Sequence, residues 1–233
     1  MNASKRHYRI GIMQPTFLPW LGYFNLINSV DIFVFLDDVQ LEKQSWQTRN
    51  QFIISNEKFW VSLPISNSKL TTIIAETKFK NTEIWIKKNK NKIFQNYSKC
   101  KFFHEINGIN KLIFDFNNCS LSDYNSRLIK YICKKLEINT KFFFSSSMKI
   151  EKKRLEKIDE ICSILNASHY FAAIGSKDYM LHDDYTSKMS VSVKFFDYPI
   201  RKDKLFRNHI QNSIYDVIAN FGYENVKNKI KKL

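Results

Sequence analysis

The stretch "RIGIMQPTFLPWLGYFNLINSVDIFVFLDDVQ" constrains the fold more than any other. Two of the chain's four prolines and two of its five glycines fall between Gly11 and Gly22. A short apolar run ends at Met13 and the polar Gln14 follows. Pro15 and Pro19 then stiffen a loop through their fixed φ. Gly22 opens a new apolar stretch, and "DIFVFLDD" ends a buried-looking run on two acids. The order reads strand, rigid loop, helix, strand, acids. In open α/β sheets, ligands bind beyond the carboxyl ends of the strands, which makes Gln14, Asp37 and Asp38 candidate site residues.

The remaining chain extends this pattern. "NQFIIS" and "FWVSLPI" are predicted strands bracketing a turn at "SNEK". A middle section, about 81–165, is predicted to be mostly helical. In it "LSDYNSRLIKYICKKL" sets Leu121, Tyr124, Leu128, Tyr131, Ile132 and Leu136 close to one face, with Lys134 and Lys135 late in the helix. "EKKRLEKIDEICSIL" puts Leu155, Ile158, Cys162 and Leu165 on another apolar stripe. Alternation then returns. "HYFAAIG" predicts a buried strand ending at Gly175, and "VSVKFF" has a period of two. "NSIYDVIANFG" predicts a helix with Ser213 and Asp216 spaced as a capping box and Gly222 as its stop. The expectation is a single domain over 1–233 of the α/β class, a Rossmann-like layered fold with a mainly parallel sheet and a helical middle section.

At 233 residues, 44% hydrophobic and 15% aromatic, the chain can bury a substantial core, which excludes a disordered class. No apolar run approaches the roughly 18 residues of a membrane span, and the N-terminus lacks the apolar region of a signal peptide. A cytoplasmic protein is expected. Cys100, Cys119, Cys133 and Cys162 show neither a CxxC pair nor zinc-ligand spacing, so reduced thiols and no metal site are expected. The formal charge of +15 favours nucleic acid, anionic membrane or phosphorylated small molecules. Its lysine runs lack the interleaved aromatics of a base-stacking platform, and compositional bias alone yields such runs.

Two segments are candidates for chemistry, the alternatives being a solvated hairpin with surface ion pairs for the first and a plain strand–helix connection for the second. "DDVQLEKQSWQTRN" gathers Asp37, Asp38, Gln40, Glu42, Lys43, Gln44, Arg49 and Asn50 within 14 residues. Arg49 offers a planar fork for phosphate or carboxylate, Lys43 a mobile point charge, and an Asp at a strand end a general base. The second is "IGSKDYMLHDDY", where Gly175, Ser176, Lys177 and Tyr179 follow a strand, as in many anion cradles. It lacks the full glycine pattern of a P-loop or dinucleotide fingerprint.

At "MQPTFLPWLGYF…DIFVFLDDVQLEKQSWQTRNQF" the chain resembles the WbqC-like protein family. Members typically open with Gln-Pro, then Pro-x-x-Gly-Tyr-Phe, a strand ending in acid, and a Lys/Gln-rich segment closing on Arg-Asn. These match Gln14-Pro15, Pro19 to Phe24, Asp37-Asp38 and Lys43 to Asn50. "YFAAIGSKDYM" resembles the family's Tyr-x-x-Gly-x-x-x-Tyr block and "SIYDVIANFG" its Ser-x-x-Asp-x-x-x-Asn-x-Gly ending. Two departures stand out: Gln51 replaces a second Arg after Arg-Asn, and Ile200-Arg201 follows the late Tyr-Pro.

The resemblance implies modification of a nucleotide-linked amino sugar, by N-acylation or aminoacylation, in O-antigen or other surface-polysaccharide biosynthesis. Within that reading, Asp38 or Asp37 would take the proton of the sugar amine. Arg49 and Lys177 would clamp phosphates, and Gln14 and Asn50 would hydrogen-bond sugar or acyl groups. Tyr23 or Trp46 would stack on a ring, while Lys43, Ser176 and Tyr179 complete the expected contacts. An acyl-CoA, an acyl carrier protein or a charged tRNA would serve as donor, with no bound cofactor. The alternatives are a non-enzymatic sugar-nucleotide-binding accessory protein and a charge-driven nucleic-acid-binding protein. A nucleotidylyltransferase is disfavoured, because Trp20 and Tyr23 stand where that class places two histidines on its loop, and neither can supply a cationic electrophile.

Overall fold

A computed structural model describes residues 7–54, 57–66, 71–182, 184–206, 209 and 211–231; the side chains of Ile54, Tyr179 and His182 lie outside the description. The predicted turn at "SNEK" therefore falls partly outside it, at Ser55 and Asn56. The chain forms two compact units. One comprises Met1–Gln14, Leu26–Asp37 and Thr140–Tyr198; the other comprises Pro15–Asn25, Asp38–Asn139 and Pro199–Leu233.

The first unit is built on a parallel sheet. Among the described residues it has five strands: β1 (Tyr8–Met13), β2 (Ile32–Phe35), β5 (Lys141–Phe144), β6 (Ala167–Ala173) and β7 (Ser192–Phe196). Their order is β5-β2-β1-β6-β7, and each neighbouring pair is parallel. The α/β expectation with a mainly parallel sheet holds. β2 is buried along its whole length, as a parallel strand covered on both faces must be. Ile32 and Val34 join Ile10, Ile12, Tyr170 and Ala172 on one face, against Leu155, Ile158, Ile161 and Cys162 of helix α5 (Arg154–Ile164). Phe33 and Phe35 lie in a ring cluster with Phe142 and Phe144 of β5, at centroid separations of 5.3–6.2 Å.

β5 corrects the expected middle section. That section does contain helices, namely α2 (Thr82–Tyr97), α3 (Asn107–Ile113), α4 (Leu121–Lys135) and α5, but "KFFF" between α4 and α5 is a strand of the first unit. Helix α4 opens with a capping box: Ser120 Oγ accepts from Asp123 N and Asp123 accepts from Ser120 N, both at 3.1 Å. Cys133 and Cys162 are buried, and burial pushes the Cys162 thiol up to about 12, consistent with packing. Among the described residues, no helix is long and apolar enough to cross a membrane.

The second unit is organised around the proline loop. Leu18 sits at φ 45°, a conformation that costs a non-glycine residue about 1–2 kcal/mol. The loop's carbonyls meet donors from three remote segments. Asn125 Nδ2, on α4, donates to Pro15 O at 3.0 Å and to Gln47 O at 2.9 Å. Asn50 Nδ2 donates to Phe17 O at 2.8 Å and Leu18 O at 2.7 Å. Ser213 Oγ also donates to Leu18 O, at 3.1 Å, and Ile214 N donates to Pro19 O at 3.0 Å. Helix α1 (Leu21–Asn28) follows the loop. Gly22 near its start is required by packing, since a Cβ there would lie 2.0 Å from the Trp20 indole.

Strands β3 (Arg49–Ile54) and β4 (Glu57–Ser62) form an antiparallel hairpin. Alternation sends Asn50, Phe52 and Val61 inward and leaves Arg49 and Trp60 on the outer face. The terminal helix α8 (Ile214–Lys231) is broken at Gly222, φ 77°, where a Cβ would meet the Phe102 ring at 2.7 Å. Gly222 thus ends the first helical segment, as expected, and a second helical segment follows it.

The expected capping box at Ser213 and Asp216 does not form. Asp216 turns instead into the interior, where Tyr97 Oη and Ile53 N donate to its carboxylate. The same Ile53 N lies 3.0 Å from Tyr97 Oη, and Tyr215 Oη donates to Asn110 Oδ1 at 2.7 Å. Desolvation raises the Asp216 carboxyl to about 7, only partly offset by those hydrogen bonds and by the Lys58 charge. The folded protein thus binds this proton more tightly than the unfolded chain. The resulting stability is complete below pH ~4 and is lost as pH rises toward 7, at up to about 1.4 kcal/mol per unit. Asp216→Asn is expected to remove this dependence, so that variant minus parent Tm grows more favourable from pH 5 to pH 8. A difference independent of pH would show that Asp216 is ionised throughout.

Candidate functional site

In the first unit, the sheet order reverses beside β1. The chain moves from β1 to β2 and β5 on one side, and from β6 to β7 on the other. Such a reversal is where open α/β sheets bind ligands, at the carboxyl ends of the strands. Gln14 directly follows β1, Asp37 closes the segment after β2, and Gly175, Ser176 and Lys177 follow β6, so these predicted residues share one edge of the sheet. Gln14 is half-buried and Lys177 is exposed at the start of α6 (Lys177–His182). Ser176 Oγ donates to Ala173 O at 2.7 Å, so its hydroxyl closes the turn after β6. Gly175 is exposed, and nothing lies within 4 Å of where its Cβ would be. The main chain there is open to close approach. Tyr179 belongs to α6, and its side chain lies outside the described residues.

Asp37 is 2% exposed and does not face a ligand. Its Oδ1 accepts from Ser146 N at 3.0 Å and Ser145 Oγ at 3.3 Å, its Oδ2 accepts from Ser146 Oγ at 3.0 Å, and its own N–H donates to Ser145 Oγ at 3.1 Å. Ser145 and Ser146 open the turn after β5, so Asp37 ties the ends of two neighbouring parallel strands together. "FFFSSS" held the clue: hydroxyls directly after an aromatic run mark the end of a strand.

The other predicted residues belong to the second unit. Tyr23 is 1% exposed and packed edge-on against Phe24, with no face for a base or sugar. Asn50 is equally committed: its amide holds the proline loop and its Oδ1 accepts from Gln51 N at 2.7 Å. Asp38 is half-buried and Lys43 exposed. Trp46 is 52% exposed, with its ring centroid 5.5 Å from that of Trp60, itself 43% exposed. The Arg49 guanidinium lies 4.2 Å over the Trp60 ring. Trp60 escaped the sequence reading, although strand alternation places it outward beside Arg49. Among the described residues, no group of three or more His, Cys, Asp or Glu converges as a metal site.

The model of the WbqC-like protein family matches residues 14–228. The chain belongs to that family. It is also 28% identical over 221 residues, 93% of this chain and 95% of the relative, to the uncharacterized protein Rv1507c of Mycobacterium tuberculosis. No solved structure matches it. The WbqC-like match begins at Gln14, runs through the Asp37-Asp38 and Lys43–Asn50 segments, and includes the Ser213–Gly222 ending. Much of what this WbqC-like motif set does here is architectural: Gly22, Asp37, Asn50, Ser213 and Asp216 all serve packing or buried hydrogen bonds.

Asp37→Ala would leave the buried Ser145 hydroxyl, and the N–H and hydroxyl of the exposed Ser146, without this acceptor, so it is expected to destabilise the protein by about 1–2 kcal/mol in urea unfolding. Asp38→Ala should lose less than half as much. Equal losses would show that Asp37 is not the clamp described.

Proposed function

We propose that the protein is a transferase that binds a nucleotide-linked amino sugar and acylates or aminoacylates its amine during surface-polysaccharide assembly. The observation that carries this reading is the reversal of strand order at β1 and β6, with Gln14 on one strand end and the open main chain at Gly175 on the other. Membership of the WbqC-like family supports the substrate class. In the reading, Gln14 hydrogen-bonds the sugar nucleotide and Lys177 neutralises its phosphates.

The amine attacks the acyl carbonyl of the donor. A new N–C bond forms, the donor's thiolate or ribose oxygen leaves, and the amine's proton passes to a base. Asp38, next in the chain to the Asp37 whose oxygens accept from Ser145 and Ser146, is the carboxylate assigned to that proton in this reading. The donor is an acyl-CoA, an acyl carrier protein or a charged tRNA. Each is polyanionic and each suits a chain of net charge +15. No resident cofactor takes part. The reaction belongs to the cytoplasm, where nucleotide-linked sugars and all three donors are found.

The test is mass spectrometry of nucleotide-linked amino sugars incubated with the protein and each donor class. One acyl or aminoacyl mass should be added to the intact sugar nucleotide. Asp38→Asn should then lower kcat by about 10²–10⁴-fold, the usual scale of general-base help, with sugar-nucleotide affinity retained. No added mass with any donor, or an Asp38→Asn variant as fast as the parent, would contradict the reading.

A further inference from the structure

The outer face of the β3–β4 hairpin carries a feature that packing does not explain. In a two-stranded sheet with one buried face, the opposite face is ordinarily polar. Here that face presents Trp60, 43% exposed, and the neighbouring loop brings up Trp46, 52% exposed. The two indoles lie 5.5 Å apart with their planes at 41°. Two large aromatics left together in water forgo the stabilisation that burial would give them, and such contiguous patches mark binding surfaces.

Arg49 gives the patch its polarity. Its guanidinium carbon lies 4.2 Å from the Trp60 ring centroid, a cation–π distance that fixes the charge beside the two indoles. Its Nε is buried and, among the described residues, has no hydrogen-bond partner. Ser45 Oγ and Thr16 Oγ1 are in the same condition. They flank the contact in which Phe17 N donates to Trp46 O at 2.9 Å, so they lie on the two chain segments that fix the Trp46 backbone. Buried polar atoms without partners are uncommon in folded proteins and call for an explanation. The backbone beneath the patch is also fixed: Asn50, next to Arg49, is bound to the proline loop, and the Ser45 carbonyl accepts from Thr48 and Arg49 N–H at 3.0 and 3.2 Å.

A planar cation locked on one indole, a second exposed indole beside it, and a rigid support are the elements needed to hold a ring that bears an anion. We propose that this face binds such a molecule, with the ring against Trp46 and its phosphate or carboxylate in the fork of Arg49. A neutral sugar or base would leave the guanidinium unmatched, and a bare anion would leave Trp46 exposed. Two sources offer an anion beside a ring face that an indole can cover, a nucleotide with its planar base and a uronic acid with the C–H face of its pyranose. The inference deepens the transferase reading, in which Arg49 and Trp46 are expected substrate contacts, but it concerns only the second unit and its test requires no turnover.

The test uses the whole protein labelled with nitrogen-15. The four indole N–H signals, from Trp20, Trp46, Trp60 and Trp85, are followed as uridine monophosphate, glucuronate, uridine and N-acetylglucosamine are added separately. Uridine monophosphate or glucuronate should shift the Trp46 and Trp60 signals saturably and leave Trp20 in place, and whichever binds names the source. Uridine and N-acetylglucosamine should bind at least tenfold more weakly. Arg49→Lys should weaken binding at least tenfold, and Trp46→Ala, at an exposed position with little effect on folding, should abolish it. No shift with either anionic probe at millimolar concentration, equal affinity for the neutral probes, or Trp46→Ala binding like the parent overturns the inference. Product formation by the enzyme without these shifts would overturn it while leaving the transferase reading in place.

Discussion

A loop rich in proline cannot satisfy its own carbonyls by forming a helix or a sheet, so they must find donors elsewhere. In the second unit that requirement is met by Asn50, whose amide spans Phe17 O and Leu18 O, with Ser213, Ile214 and Asn125 completing the set. Each such hydrogen bond contributes about 1 kcal/mol net, enough together to offset the left-handed Leu18. The geometry draws β3, α4 and the start of α8 onto one short segment. The aromatic core that surrounds it, Phe17 against Phe52 and Tyr124, follows from that convergence.

This division of labour changes how the WbqC-like motifs are to be understood. Residues such as Asn50, Ser213 and Asp216 look chemical because they are polar and recur in a pattern. Their side chains are nevertheless buried, Asn50 and Ser213 bound to backbone carbonyls and Asp216 to Tyr97 and the Ile53 N–H. In the second unit the exposed indoles of Trp46 and Trp60 and the guanidinium of Arg49 lie outside that buried network. Asp37 and Asp38 make the contrast in adjacent residues, one closed inside a cluster of serines and the other half-buried beyond it.

Periodicity made the main elements legible in the sequence. β1, β2, β6 and β7, the β3–β4 hairpin and helices α4 and α5 lie where apolar spacing puts them. β5 was hidden because four residues, three of them phenylalanine, are too short to distinguish a period of two from 3.6. Asp216 was misread because Ser-x-x-Asp before an apolar run is a sound capping signal, and nothing local discloses that Tyr97, 119 residues earlier, will take its carboxylate. Asn50 and Tyr23 were misread for a related reason: a polar or amphipathic side chain in a motif-rich loop looks available until burial is known. Gly22 was legible as a special position, yet its cause, the Trp20 indole lying across it, is a contact two residues away that only the structure reveals.

The claim that the proline loop is held by converging buried donors is tested most directly by a double-mutant cycle on Asn50→Ala and Ser213→Ala, with stability measured by urea unfolding. Both side chains donate to Leu18 O. If they act on one rigid loop, the two losses should be non-additive, with a coupling of about 1 kcal/mol. Losses that add to within about 0.3 kcal/mol would mean that the two residues act independently and that the loop is not the constraint described.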